Sequence, residues 1–530
     1  MLGTPGIYSR FGLSMLFLIL TAGCFGSEVE NTPDKDKSTV SETADADRIV
    51  VESGETKSFV SEDRISGGEP VTLKVDLWLF TPTVNEARTK ENPEKRVAGQ
   101  IIADKFMKLY PNVTIEWVRG MNKKDQAALA TYYTTHFSSG DAPDIGMSWN
   151  LFAEEGWYLP LDRYLAEPNP FVSGNRTWKD QFPGYLWTKN WVASKVDGKT
   201  LSTGIPISLY SGPATAIYYN KEIFSKEGIE MPTTYLEFIR TAEELNGKGY
   251  IGLHPWTALN QIYSWAFSFN LGPYYFEKNV AGRLKSDDNG NIANEEMMRS
   301  VKEGMLSPVR HAYARELYAN FKKFFEASPP NWEYTDFSKS WAEGKVAMFE
   351  DGTWLLNVEH GNPERNFEFG MFPPIPLSEE QSPYVSAPSY TKSGPYEPEP
   401  SVTLNILRPS VERRGTEEAS VRFLQFLTVP ENLSLLIQED QTSIGAVEGV
   451  PVPPLLEEWI SRPFPITPAY IWPTGLDTES FDQWNQYTSA WVNGKLSDEI
   501  YFAAIEEIQS KAADRIIQAN NIDTSGWKPL

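Results

Sequence analysis

The stretch from Val71 to Trp117 constrains the fold most. In VTLKVDLWLF (71–80), Val71, Leu73, Val75, Leu77 and Leu79 alternate with a second face ending in Trp78 and Phe80, the period of a strand. Ala98, Ile101, Ile102, Phe106 and Leu109 then recur at helical spacing, and Pro111 stops the helix. Val113, Ile115 and Trp117 alternate again as a second strand. Strand, helix, strand at this spacing is a βαβ unit, which implies a parallel sheet and an α/β fold.

A chain of 530 residues exceeds one ordinary core and calls for two domains. A further helix starts after Pro232, where Thr234 and Glu237 have capping-box spacing. Its buried stripe is Tyr235, Ile239, Ala242 and Leu245, and Gly247 ends it. Asn493-Gly494 precedes a last helix from about Ser497 to Ala519. No internal repeat is visible.

The N-terminus reads as an export signal. Arg10 precedes the apolar run 11–20, and Thr21, Ala22 and Gly23 lead to Cys24, the sole cysteine. Ten apolar residues are too few to span a bilayer as a mature helix. Cys24 behind small residues resembles a bacterial lipobox, although Thr21 stands where a Leu is usual and Leu20 lies one place earlier. The expectation is a signal peptide over 1–23 and an acylated Cys24. Residues 24–70, poor in large apolar side chains, then read as a flexible stalk. Acylation would tether the protein to the cell membrane on its extracellular face.

Several chemistries find no support. A net charge of −23 opposes binding to nucleic acid, which demands a basic face. The four histidines, His136, His254, His311 and His360, include no i, i+4 pair for an HExxH metal site, so no metal and no cofactor is expected. Gly198-Lys199-Thr200 resembles the end of a P-loop, but Ala193 stands where its first Gly belongs. No GxSxG elbow occurs. Neighbouring carboxylates such as Asp141 and Asp144 are what any acidic chain offers, so no catalytic residue is assigned.

Five stretches in order resemble the extracellular solute-binding family that includes maltose-binding proteins. They are FMKLYPNVTIEWV (106–118), GDAPDIGMSW (140–149) with GWYLPLDRYL (156–165), the run 204–245, FSKSWAEGKVAMFEDGTWLL (337–356) and the run 413–436. The resemblance implies a two-lobed α/β fold, each lobe a sheet flanked by helices, hinged around a ligand cleft. Matching the order of segments puts lobe one at 71–212 and 395–445, and lobe two at 213–394 and 446–530. It implies that 214–220 is a strand crossing between lobes. It also implies a carbohydrate ligand, most simply an oligosaccharide, and ABC permease and ATPase partners.

A sugar ring needs flat aromatic platforms and short polar groups at its rim. Trp354 occupies the Trp of the family pattern GKxAMxxxGxW. Trp149, Tyr263, Trp265 and Trp484 fall near ligand-contacting places of the family. Trp78 ends the first strand, and Tyr210 and Trp256 complete the aromatic candidates. Asp351, beside Glu350, is the polar candidate, with Arg408 and Gln441 as further polar groups. No cluster of Lys and Arg surrounds these aromatics, which favours a neutral sugar. The alternatives are a surface glycan-degrading enzyme or adhesin on the same anchor, or a binder of a non-sugar small solute.

Overall fold

In the computed structural model the described residues run from Arg64 to Lys528, apart from 85–94, 120–125, 149–151, 154, 189, 197–198, 214, 256–266, 268–269, 286–291, 330–331, 391–397, 462, 464, 467–471 and 474. Ten strands build two sheets. They are β1 (Val71–Val75), β2 (Val113–Trp117), β3 (Ile145–Met147), β4 (Gly204–Tyr210), β5 (Thr215–Asn220), β6 (Ile251–His254), β7 (Val346–Gly352), β8 (Phe369–Phe372), β9 (Pro400–Ile406) and β10 (Ser443–Gly445). The first sheet has the order β10-β4-β9-β3-β1-β2, and the second β8-β5-β7-β6.

The βαβ unit is present. β1 and β2 pair in parallel with Val71 opposite Val113, and helix Ala98–Leu109 joins them. Ile102, Ala103 and Phe106 turn its buried stripe into the first core. The first strand is shorter than its alternation implies. It stops at Val75, and Trp78–Phe80 form a 3-10 turn, because Asp76 diverts its carboxylate to the backbone N–H of Trp78. Helix Tyr235–Gly247 carries the expected capping box, with Thr234 accepting from Glu237 N–H. The last helix spans Asp498–Asn520, with Ser497 as its N-cap.

Each sheet has its own apolar core. Leu73, Ile102, Ile205, Leu404 and Phe423 belong to the first. Phe238, Leu253, Phe321, Met348, Trp491 and Tyr501 belong to the second, so the C-terminal helices Thr478–Val492 and Asp498–Asn520 pack with the second sheet. A third cluster seats Leu456 and Trp459 of helix Pro454–Ile460 against Ala216, Tyr218 and Phe349. The fold is thus α/β and two-lobed.

The chain passes between the sheets at 211–214, 373–399 and 446–453. The strand expected to cross between lobes lies wholly in the second sheet as β5, and the crossing is the link 211–214 before it. Five Cα steps from Tyr210 to Thr215 reach about 17 Å at most, so the two strand ends stay close.

Candidate functional site

Strand direction decides which edges meet. β1 and β3 run parallel, β9 runs against β3, and β4 against β9. The carboxyl ends of β1, β3 and β4 therefore share one edge of the first sheet. That edge carries Asp76, Trp78, Ser148 and Tyr210, together with Gln441, Thr442 and Ser443 at the start of β10. In the second sheet β5 opposes β7 and β8, while β6 parallels β7. Thr215, His254, Asp351, Gly352 and Phe372 accordingly share one edge. The link leaves the first edge at Tyr210 and enters the second at Thr215.

At the first edge Trp78 is half-buried and has φ of 57°, a left-handed backbone unusual for a bulky residue. Asp76 Oδ1 accepts from Trp78 N at 2.9 Å and from Thr81 Oγ1 at 3.1 Å. Tyr132 and Tyr133 of helix Gln126–Ser139 lie close enough for this carboxylate to help burial push their phenols up. Tyr158 donates toward Ser148 Oγ at 3.4 Å. Tyr210 is half-buried, and its N–H donates to Glu399 O at 3.0 Å.

At the second edge Trp354 is half-buried, just before helix Leu355–His360. Its indole lies against Gly352, where a Cβ would come within 2.0 Å of Trp354 Cζ2. Adjacent residues of a strand face opposite ways, and the two carboxylates here follow that rule. Glu350, opposite Ile217, lines a cavity of about 20 Å³ with Tyr235, Phe238 and Asn270. Asn270 Nδ2 donates to Glu350 Oε1 at 2.6 Å, and burial pushes the Glu350 carboxyl up. Asp351, opposite Ala216, turns into the third cluster. Burial first, then the charges of Glu350 and Glu359, push its carboxyl up to about 8, against the N–H donated by Gly352.

The candidates separate accordingly. Trp78, Tyr210, Trp354 and Gln441 stand at the two edges. Asp351 stands there too, but at 7% exposure it faces protein. Trp484 requires correction. It is fully buried in the second core, edge-on to Phe267 with ring centroids 5.6 Å apart, and presents no face to a ligand. Trp484 is one of a few apolar residues in the largely polar run TESFDQWNQYTSAWV, and periodicity marks the inward face of such a helix without saying whether that face meets a core or a cleft. Arg408 also moves: it follows Leu407 at the opposite edge of the first sheet, where it donates to Gly156 O at 2.7 Å. Trp149, Trp256, Tyr263, Trp265 and Cys24 lie outside the described residues. Asp76 and Asn270 were not legible as edge residues, since each is one polar group in a largely apolar run, and nothing in the run TYYTTH singles out Tyr132.

A depression of about 370 Å³ lies elsewhere, lined by Asp336, Lys339, Ala342, Glu343, Glu364 and Asn366. No aromatic side chain lines it, so it lacks what a sugar face requires. No group of three or more potential metal ligands occurs among the described residues, and none of their helices is long and apolar enough to cross a membrane.

Two sheets with separate cores, whose aromatic-bearing edges are joined through the link 211–214, define a two-lobed binding protein. The chain belongs to the bacterial extracellular solute-binding protein family, whose model matches residues 92–433. It is 28% identical over 200 residues to a putative binding protein of Brucella abortus (strain 2308), covering 36% of this chain and 44% of that protein. It is 28% identical over 182 residues to the multiple sugar-binding protein of Streptococcus mutans serotype c, covering 31% and 38%. The chain thus spans less than half the length of these curated relatives. The apo-form of RafE from Streptococcus pneumoniae superposes with a TM-score of 0.51 at 16% identity, over 84% of this chain and 98% of that one. A chitin oligosaccharide binding protein gives 0.51 at 15% identity, over 84% and 100%. At such identities the likeness speaks for the fold.

Proposed function

We propose that this chain is the substrate-capturing subunit of an ABC importer, holding a carbohydrate, most simply an oligosaccharide, in a cleft between its lobes and delivering it to a membrane permease. The observation that supports this most is the pairing of edges: Trp78 and Tyr210 on one sheet and Trp354 on the other, linked through 211–214. Aromatic faces on two bodies that can close suit a ring with one apolar face. The structural neighbours include RafE in complex with raffinose and a chitin oligosaccharide binding protein, which favours the same ligand class.

The reading takes lobe one as 71–212 plus 395–445 and lobe two as 213–394 plus 446–530. The strands of the first sheet fall in the former and those of the second in the latter. It takes Cys24 as the acylated anchor, 1–23 as the signal peptide and 24–70 as the stalk, so that the protein works outside the membrane that holds it. It assigns binding without catalysis.

The test is a thermal-shift screen of the secreted chain against mono- and oligosaccharides, since a ligand of the native state raises the midpoint. One sugar class should shift it, Trp354→Ala should abolish the shift, and mass spectrometry should recover the sugar intact. No shift with any saccharide would overturn the ligand class, and a cleaved sugar would overturn the assignment as a binder.

A further inference from the structure

We propose that Asp76 and Thr81 form a clamp that presets Trp78 as the stacking surface for one sugar ring, which makes them positioning residues of the site; this rests on the carbohydrate reading above. Among the described residues five non-glycines have positive φ: Ser66, Trp78, Asn190, Gln441 and Asn521. The other four are polar, and two of them are Asn, which tolerates left-handed backbone; Trp78 alone carries a large ring. Such a conformation persists only where its surroundings over-determine it, and here they do. Asp76 is buried and its N–H is tied to Ile145 O at 2.9 Å, fixing it to β3. Its Oδ1 takes both Trp78 N–H and Thr81 hydroxyl, the Thr81 hydroxyl takes Leu77 N–H at 2.9 Å, and Thr81 N–H returns to Trp78 O at 3.1 Å.

The turn is also held from beneath. The Arg96 guanidinium donates to Leu79 O. Helix Ala98–Leu109 sits so close that a Cβ on Gly99 would lie 2.9 Å from Pro82 Cγ and 3.0 Å from Phe80 O. A glycine at 78 would make the same turn without strain. Keeping an indole there, half-buried at the carboxyl edge where α/β sheets bind ligands, assigns the strain to placing the ring. A preset platform spares the ligand the cost of ordering it.

The test is a double-mutant cycle on the full secreted chain, using a saccharide that the wild type binds, with calorimetry as readout. Asp76→Ala and Thr81→Val should each weaken binding about tenfold, while Asp76→Asn, which keeps the Oδ1 acceptor, should restore most of it. In a Trp78→Ala background Asp76→Ala should cost nothing further, because it acts through the ring. Losses that add, or wild-type affinity in both Asp76→Ala and Thr81→Val, would overturn the clamp. A second readout needs no ligand: in protein carrying 5-fluorotryptophan, the fluorine signal that Trp78→Phe removes should shift or broaden in Thr81→Val. If no saccharide binds the wild type, the carbohydrate reading fails, and an unmoved fluorine signal then separately overturns the clamp.

Discussion

A methyl group at Gly352 would lie 2.0 Å from Cζ2 and 2.1 Å from Cε2 of Trp354, deep inside contact distance. The neighbouring backbone is the end of a central strand and cannot yield, since Tyr218 hydroxyl holds Gly352 O at 2.9 Å. Gly352→Ala should therefore evict the indole from its seat while leaving β7 paired. The expected outcome is at least a tenfold loss of saccharide affinity, of the order lost on removing a stacked ring, measured by titration calorimetry. The adjacent Asp351 sets a pH dependence. Its carboxyl rises from 3.8 to about 8 on folding, so the folded chain holds a proton that the unfolded chain releases between those values. The stabilisation is complete below about pH 4 and is lost as pH rises through about 8. Asp351→Asn cannot ionise and keeps an acceptor for Gly352 N–H. It should flatten the decline of the thermal midpoint between about pH 5 and pH 8.5, by an amount worth about 1 kcal/mol or more. Parallel curves for the two proteins would show that Asp351 ionises freely.

Among the elements, helix Tyr235–Gly247 shows what local sequence determines. Thr234 accepts from Glu237 N–H at 3.2 Å and Glu237 returns a carboxylate to Thr234 N–H at 3.1 Å, so two orphan donors are satisfied by residues three apart. Thr234→Ala should cost about 1 kcal/mol in denaturant unfolding, read as a lower midpoint at unchanged slope. This element was legible because cap, stripe and stop all lie within one window. So were helix Ala98–Leu109 and the parallel pair β1 and β2, whose periods are long and clean. The end of β1 was not legible. Alternation continues in the letters to Phe80, yet Asp76 competes for the backbone through its own side chain and breaks the strand after Val75. Asp144 was legible only as one carboxylate of an acidic chain. Its carboxylate in fact joins distant elements, taking Lys74 N–H at 2.8 Å, the Thr416 hydroxyl at 2.6 Å and the Arg414 guanidinium at 2.6 Å. Trp484 failed for the same reason: a packing partner such as Phe267, more than two hundred residues away, leaves no local trace.

At the scale of the whole molecule, the relation between the lobes depends on what the links can do, and the first link is flanked on both sides. The Ser211 hydroxyl reaches Thr442 O at 3.4 Å, and the indole of Trp459 lies against Gly212, so that a Cβ there would sit 2.6 Å from its Nε1. Trp459 is buried between the link and the third cluster, where Ile444 of β10 also packs, so it touches the second sheet and the link at once. Closing two bodies around a ligand requires backbone rotation in a few such link residues. Gly212→Ala removes backbone freedom from the link and drives a methyl group into the indole. Neither residue is among the edge aromatics, so any loss of affinity must come from the cost of closing rather than from a lost contact. We expect saccharide affinity to fall about tenfold. Small-angle scattering should still show the wild-type radius at saturating ligand, because the closed form itself is unchanged. Adding Trp459→Leu, which clears space for the methyl group, should recover part of the affinity. An unaltered affinity in Gly212→Ala would instead place the moving residues in the other two passages, 373–399 and 446–453.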